Sequence, residues 1–210
     1  MKNHAPDLNR LLNDIVWALE RGLGARDLIP MLEKLLRRAP RGSSAALFAQ
    51  RELAERLLER SPWRAALLVR EVLSYGDDDR AWGVLGIAHT LLGNYRCAKR
   101  AYLRALALAP GSSRYAHNLG HLLDVALERP REALVHLAIA HRAEPGEPEI
   151  AASFAHALAR VGRVAQARRV LSRALEHDPE QVDELLKNWL ERTSPASGAA
   201  PTIDSLSKNG

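Results

Sequence analysis

Residues 79–112 read DRAWGVLGIAHTLLGNYRCAKRAYLRALALAPGS. Trp82, Leu85 and Gly86 fall on one face of a first helix, the turn Leu92-Gly93-Asn94-Tyr95 interrupts it, and Ala98, Tyr102 and Ala105 mark one face of a second helix that stops before Pro110. The pattern then returns twice, through Leu119, Gly120, Ala133, Ala140 and Pro145, and through Phe154, Ala155, Gly162, Ala167, Ala174 and Pro179. Pro110 and Pro145 are 35 residues apart, Pro145 and Pro179 are 34 apart. Self-similarity at this period is the signature of a helical repeat array. The one extra residue is assigned to the turn Leu127-Glu-Arg-Pro130, where an insertion disturbs neither helix.

Each recurring residue has a physical role. Gly86 and Gly120, with Ala98, Ala133 and Ala167, remove side chain where paired helices must approach closely. Trp82, Leu85, Tyr102, Leu119, Leu137, Phe154 and Leu171 fill the space that remains. Pro110, Pro145 and Pro179 end one unit and begin the next.

On these residues the stretch 79–112 resembles the tetratricopeptide repeat, with His89 where that family usually has tyrosine. The resemblance implies an all-α fold, a right-handed α-solenoid of stacked antiparallel hairpins. It divides the chain into an N-terminal hairpin at 1–42, a degenerate repeat at 43–78, and repeats at 79–112, 113–147 and 148–181. Upstream the pattern weakens, but Leu8, Leu11, Leu12, Ile15, Val16 and Leu19 form one helical stripe and Leu28, Met31, Leu32, Leu35 and Leu36 a second, joined by Arg21-Gly-Leu-Gly24. Another pair is expected from about Ser44 to Arg60 and from Pro62 to Tyr75. After Pro179 the stripe Val182, Leu185, Leu186, Trp189 and Leu190 predicts a capping helix over 180–192, because the last hairpin of an array exposes an apolar face. From Thr193 the chain has no periodic apolar face, and the 193–210 tail is expected to be disordered.

The composition agrees with helix. Aromatics are only 5% and runs of β-branched residues are missing. The net charge of +5 comes from 30 basic and 25 acidic residues that alternate along the chain, the pattern of solvated helix faces. No block of like charge concentrates a field, so nucleic acid is the disfavoured partner and an acidic polypeptide the one this charge balance admits. Cys97 is the only cysteine, which excludes a disulfide framework and fits a reducing compartment. Residues 1–12 lack the apolar stretch of a signal peptide, and the uncharged run Ala81 to Tyr95 is too short and polar for a bilayer span. A cytoplasmic protein without membrane insertion is expected. Gly22-Leu-Gly24 follows no strand and no paired carboxylates stand out, so neither catalysis nor a cofactor is expected.

The resemblance further implies a concave groove lined by first helices, whose outward residues are Arg80, Val84, Ile87 and Leu91, then Arg114, His117, Asn118 and His121, then Glu149, Ser153, His156 and Arg160. Val84, Ile87 and Leu91 either form a pocket for an apolar anchor or are covered by the preceding unit. Asn118 stands where peptide-binding members of the family often place an asparagine. Gly83, Ile87, Glu149 and Ser153 replace the residues that grip chaperone C-termini, which argues against that specialised partner. His117 and His121 are one turn apart, His156 is equivalent to His121 in the next unit, and Asp124 lies a turn beyond His121. That spacing suits a divalent ion, but polar groove lining is its commoner use and no metal is assigned. The function implied is a non-catalytic adaptor holding a peptide or helix of a partner protein in the groove. The alternative is a dedicated secretion chaperone, whose bacterial examples look similar in architecture.

Overall fold

The computed structural model describes residues 5–174 and 179–192, and the tail 193–210 for which disorder is expected lies outside them. Among the described residues the chain is helical throughout and contains no strand. It divides into two compact units, Met1–Pro110 and Gly111–Gly210.

The N-terminal unit holds α1 (Ala5–Glu20), α2 (Ala25–Arg38), α3 (Ser44–Leu57), α4 (Pro62–Leu73), α5 (Asp79–Leu91) and α6 (Tyr95–Leu108). Each helix packs on its neighbour in sequence, and α3 also reaches α5. Short connections force successive helices antiparallel, while contact between alternate helices stacks one hairpin on the next. Ile15, Leu28, Leu32, Leu35, Leu53 and Val69 are fully buried between these layers. Helix starts are encoded locally: the Ser43 hydroxyl accepts the Ala46 N–H at 3.3 Å, the Asp78 carboxylate accepts the Ala81 N–H at 2.8 Å, and Pro62 occupies the first turn of α4.

The C-terminal unit holds α7 (Ser113–His121), α8 (Pro130–Ala143), α9 (Pro148–Arg160), α10 (Val164–Ala174) and α11 (Pro179–Arg192). Here α7 reaches α9, and α9 reaches α11. α6 ends at Leu108 and α8 at Ala143, each two residues before a proline, whose ring bars the preceding residue from helical geometry. Val182 and Leu186 of α11 are buried against Ala155, Leu158, Ala167 and Leu171, with Leu185 and Trp189 packed beside them.

The close approaches expected of the small residues are present. A Cβ built on Gly86 would meet the Tyr102 ring at 2.4 Å, and one on Gly120 would meet Leu137 Cγ at 2.5 Å. Ala98, Ala133 and Ala167 are fully buried.

One expectation is corrected. The extra residue of the 113–147 repeat does not sit in the turn. Leu122–Ala126 forms a π-helical turn continuing α7, in which the Leu127 N–H reaches back five residues to the Leu122 carbonyl at 3.0 Å. A π turn absorbs one residue by widening the helix locally, and such turns concentrate at functional positions. The segment closes with the Arg129 N–H on the Leu123 carbonyl at 2.7 Å and Glu128 at φ 54°, a left-handed conformation that ordinarily selects glycine.

Candidate functional site

In the C-terminal unit, α7 with its π turn and α9 face each other through polar side chains. His117 Nε2 lies 2.9 Å from Ser153 Oγ, and the same hydroxyl lies 3.4 Å from His121 Nδ1. One serine thus ties two imidazoles whose ring centroids are 6.1 Å apart. Further along, the Asp124 carboxylate accepts from His156 Nδ1 at 2.5 Å and from the Arg160 guanidinium at 3.0 Å. Arg160 also donates to the Asp124 carbonyl, one of the acceptors a helix end leaves open.

Asp124 is only 1% exposed. In place of the water it has lost, a carboxylate so placed has a guanidinium and an imidazole N–H as hydrogen-bond partners. The bond to Asp124 places a proton on His156 Nδ1, which leaves Nε2 buried without a hydrogen-bond partner. The His156 ring meets Trp189 edge-on at 5.3 Å, which ties α11 to the network.

Burial holds the imidazole of His117 below its ordinary range, against a smaller upward pull from Glu144. Burial also leads for His121, joined by repulsion from His117 and His156 and opposed by Asp124 and Glu149. Both rings are therefore neutral at neutral pH, each with one donor and one acceptor.

The sequence-derived candidates separate into groups. Ser153 brings His117 and His121 together, and Asp124 brings His156 and Arg160 together. Asn118 is half-buried on α7, while Glu149 is exposed. Arg114 is exposed beside them, its guanidinium 5.2 Å from the Tyr115 ring centroid. In the N-terminal unit, Arg80 is already engaged, donating to Glu52 at 2.9 Å and Glu55 at 2.8 Å on α3. Val84 is corrected from a groove position to a core one: at 4% exposure it belongs to the apolar cluster of that unit. Ile87 is half-buried and Leu91 is 54% exposed. Among the described residues no group of three or more His, Cys, Asp or Glu is arranged to hold a metal ion. The histidines and Asp124 instead spend ring nitrogens and oxygens on one another, on Ser153 and on Arg160.

Asp124, which spacing places only as a residue one turn beyond His121, is the carboxylate that ties His156 to Arg160. Its signal was the 35-residue repeat, since the extra residue forms the turn that carries this carboxylate.

Stacked hairpins with glycine-mediated close approaches define a helical-repeat fold. Residues 125–188 match the tetratricopeptide repeat family. Among solved structures, a crystal structure of MamA is similar with a TM-score of 0.63 and 19% identity, over 80% of this chain and 95% of that one. MamA 41-end from Desulfovibrio magneticus RS-1 is similar with a TM-score of 0.67 and 17% identity, over 80% of this chain and 93% of that one. At such identities the likeness is one of fold. Protein FlbA of Caulobacter vibrioides is 36% identical over 100 residues, which is 48% of this chain and only 17% of that protein.

Proposed function

We propose that the chain is a non-catalytic adaptor that holds an extended or helical segment of a partner protein against the α7/α9 face of its C-terminal unit. The family is one of protein-interaction modules, and the observation that carries the reading to this face is the polar network itself. Helices that only needed to pack would meet through apolar side chains, as α10 and α11 do. Instead His117, Ser153, His121, Asp124, His156 and Arg160 fix one another's orientation. Side chains immobilised before binding lose little further entropy when a partner arrives. Asn118 and Arg114 flank this rigid floor and supply an amide and a guanidinium for a peptide backbone and a carboxylate. Among the described residues no helix is long and apolar enough to cross a membrane. The lone cysteine supports a reducing, cytoplasmic setting.

The test is affinity capture from native lysate with the wild-type chain and with an Asn118→Ala/His121→Ala variant, followed by mass spectrometry. A partner recovered by the wild type and lost by the folded variant supports this face. A partner set unchanged by the variant rules it out. Expressing the recovered partner alone then separates an adaptor, whose partner stays soluble, from a dedicated chaperone, whose partner aggregates.

A further inference from the structure

We infer a second docking site in the C-terminal unit, on the side of α9 away from Asp124, for an acidic polypeptide segment that carries one large apolar side chain. A pocket of about 330 Å³ opens between α8, α9 and α10. Its floor is apolar: Leu134 from α8, Phe154 and Leu158 from α9, and Val170 from α10. Leu158 is buried, and the other three are half-buried. On α9, Phe154 and Leu158 are one turn apart, and Phe154 is about 200° around the helix from His156, so the pocket and the polar network use different faces of one helix.

The rim is cationic. Arg163, Arg169 and Arg173 line it, and all three are exposed. Their neighbour Arg168 is paired with Asp183 of α11, but among the described residues none of the three rim arginines has an ion pair with a carboxylate. Three guanidiniums around an apolar floor, with no carboxylate partner among the described residues, are complementary to carboxylates flanking an apolar anchor, since each guanidinium can take a carboxylate through two parallel hydrogen bonds. The volume lies at the small end of the range of about 300–1,000 Å³ for ligand sites, room for one large side chain. A nucleic acid is the poorer occupant. Single strands are held by exposed aromatic platforms, whereas Phe154 is turned inward against the His141 ring at 5.4 Å.

The site stands independently of the α7/α9 face. Its test is selection of a random dodecapeptide library on the full-length chain, followed by fluorescence anisotropy of the selected peptides. The inference expects peptides with Asp or Glu around a Leu, Phe or Trp, bound in a salt-sensitive manner. Their affinity should fall about tenfold or more with Arg169→Ser/Arg173→Ser and stay unchanged with Asn118→Ala/His121→Ala. Neither arginine is buried, so circular dichroism of the variant should match the wild type. Three results would overturn the inference: selected peptides without acidic residues, equal binding by the arginine variant, or undiminished binding after the apolar residue of the peptide is changed to serine. The last would reveal capture by charge alone.

Discussion

Gly120 and Leu137 meet with no room for another carbon between them: a Cβ on the glycine would lie 2.5 Å from Leu137 Cγ and 3.2 Å from its backbone nitrogen. The side chain could rotate away, but the backbone of α8 could not without the whole hairpin opening. In an exposed helix Gly→Ala stabilises by about 1 kcal/mol. Here overpacking of about 1–3 kcal/mol outweighs that gain. Gly120→Ala is expected to lower stability in urea denaturation, and Gly120→Ala/Leu137→Ala to lose less than the sum of its two single substitutions. Full additivity would mean that the two residues do not share the space described.

The Asp124 network predicts an asymmetry between breaking and replacing. Asp124→Asn leaves the Arg160 guanidinium half-buried without its carboxylate and should destabilise by about 3–5 kcal/mol. Replacing the trio together, with Asp124→Leu, His156→Leu and Arg160→Met, should recover most of that loss or exceed the wild type in stability. If the network serves binding, the recovered variant folds but no longer captures the partner. Denaturation and capture on the same preparations read both halves.

Acid should weaken the C-terminal unit. His117 and His121 are held below the ordinary imidazole range mainly by burial, so the unfolded chain takes up protons on them before the folded one does. Their contribution is complete above about pH 6.5 and is lost as pH falls below it toward their lower folded-state values. Thermal midpoints measured between pH 7 and pH 5 should fall, and the slope should flatten in a His117→Asn/His121→Asn variant. An identical slope in the variant would assign the acid sensitivity to other groups.

Alkali acts on the N-terminal unit. Burial pushes the Tyr102 phenol up to about 12, offset in part by its hydrogen bond with Thr90. The unfolded chain releases that proton near pH 10, so the contribution is present below pH 10 and is lost as pH rises through about 12. In an ultraviolet titration Tyr102 should ionise late. Tyr102→Phe should remove that late phase.

The helical-repeat class was legible because its determinants are local and redundant. The small residues at Gly86, Gly120, Ala98, Ala133 and Ala167 repeat with the bulky residues that fill against them, and the prolines keep the period. The site was less legible. Long-range pairing decides whether a side chain is available, and Arg80 reaches Glu52 and Glu55 on another helix, which no local pattern announces. Val84 occupies a position that points outward in an isolated hairpin and becomes core once the preceding helices stack on it. The spacing revealed that one residue was extra but not where helical phase was broken, because a count between two prolines is the same for an insertion in a turn and in a helix.

The π turn at Leu122–Ala126 acts as a splice that takes up one residue while the rod keeps its phase on either side. Because the wider turn and a regular turn each bring the chain round about once, removing a single residue there would restore regular helix and leave His117 and His121 on the face they already occupy. What the deletion would re-aim is the splice itself, and Asp124 lies within it. A hairpin array can therefore gain or lose a buried charge at one point of a face while the rest of that face stays in place. An alignment that puts the gap in the loop after the helix would match the wrong residue to Asp124.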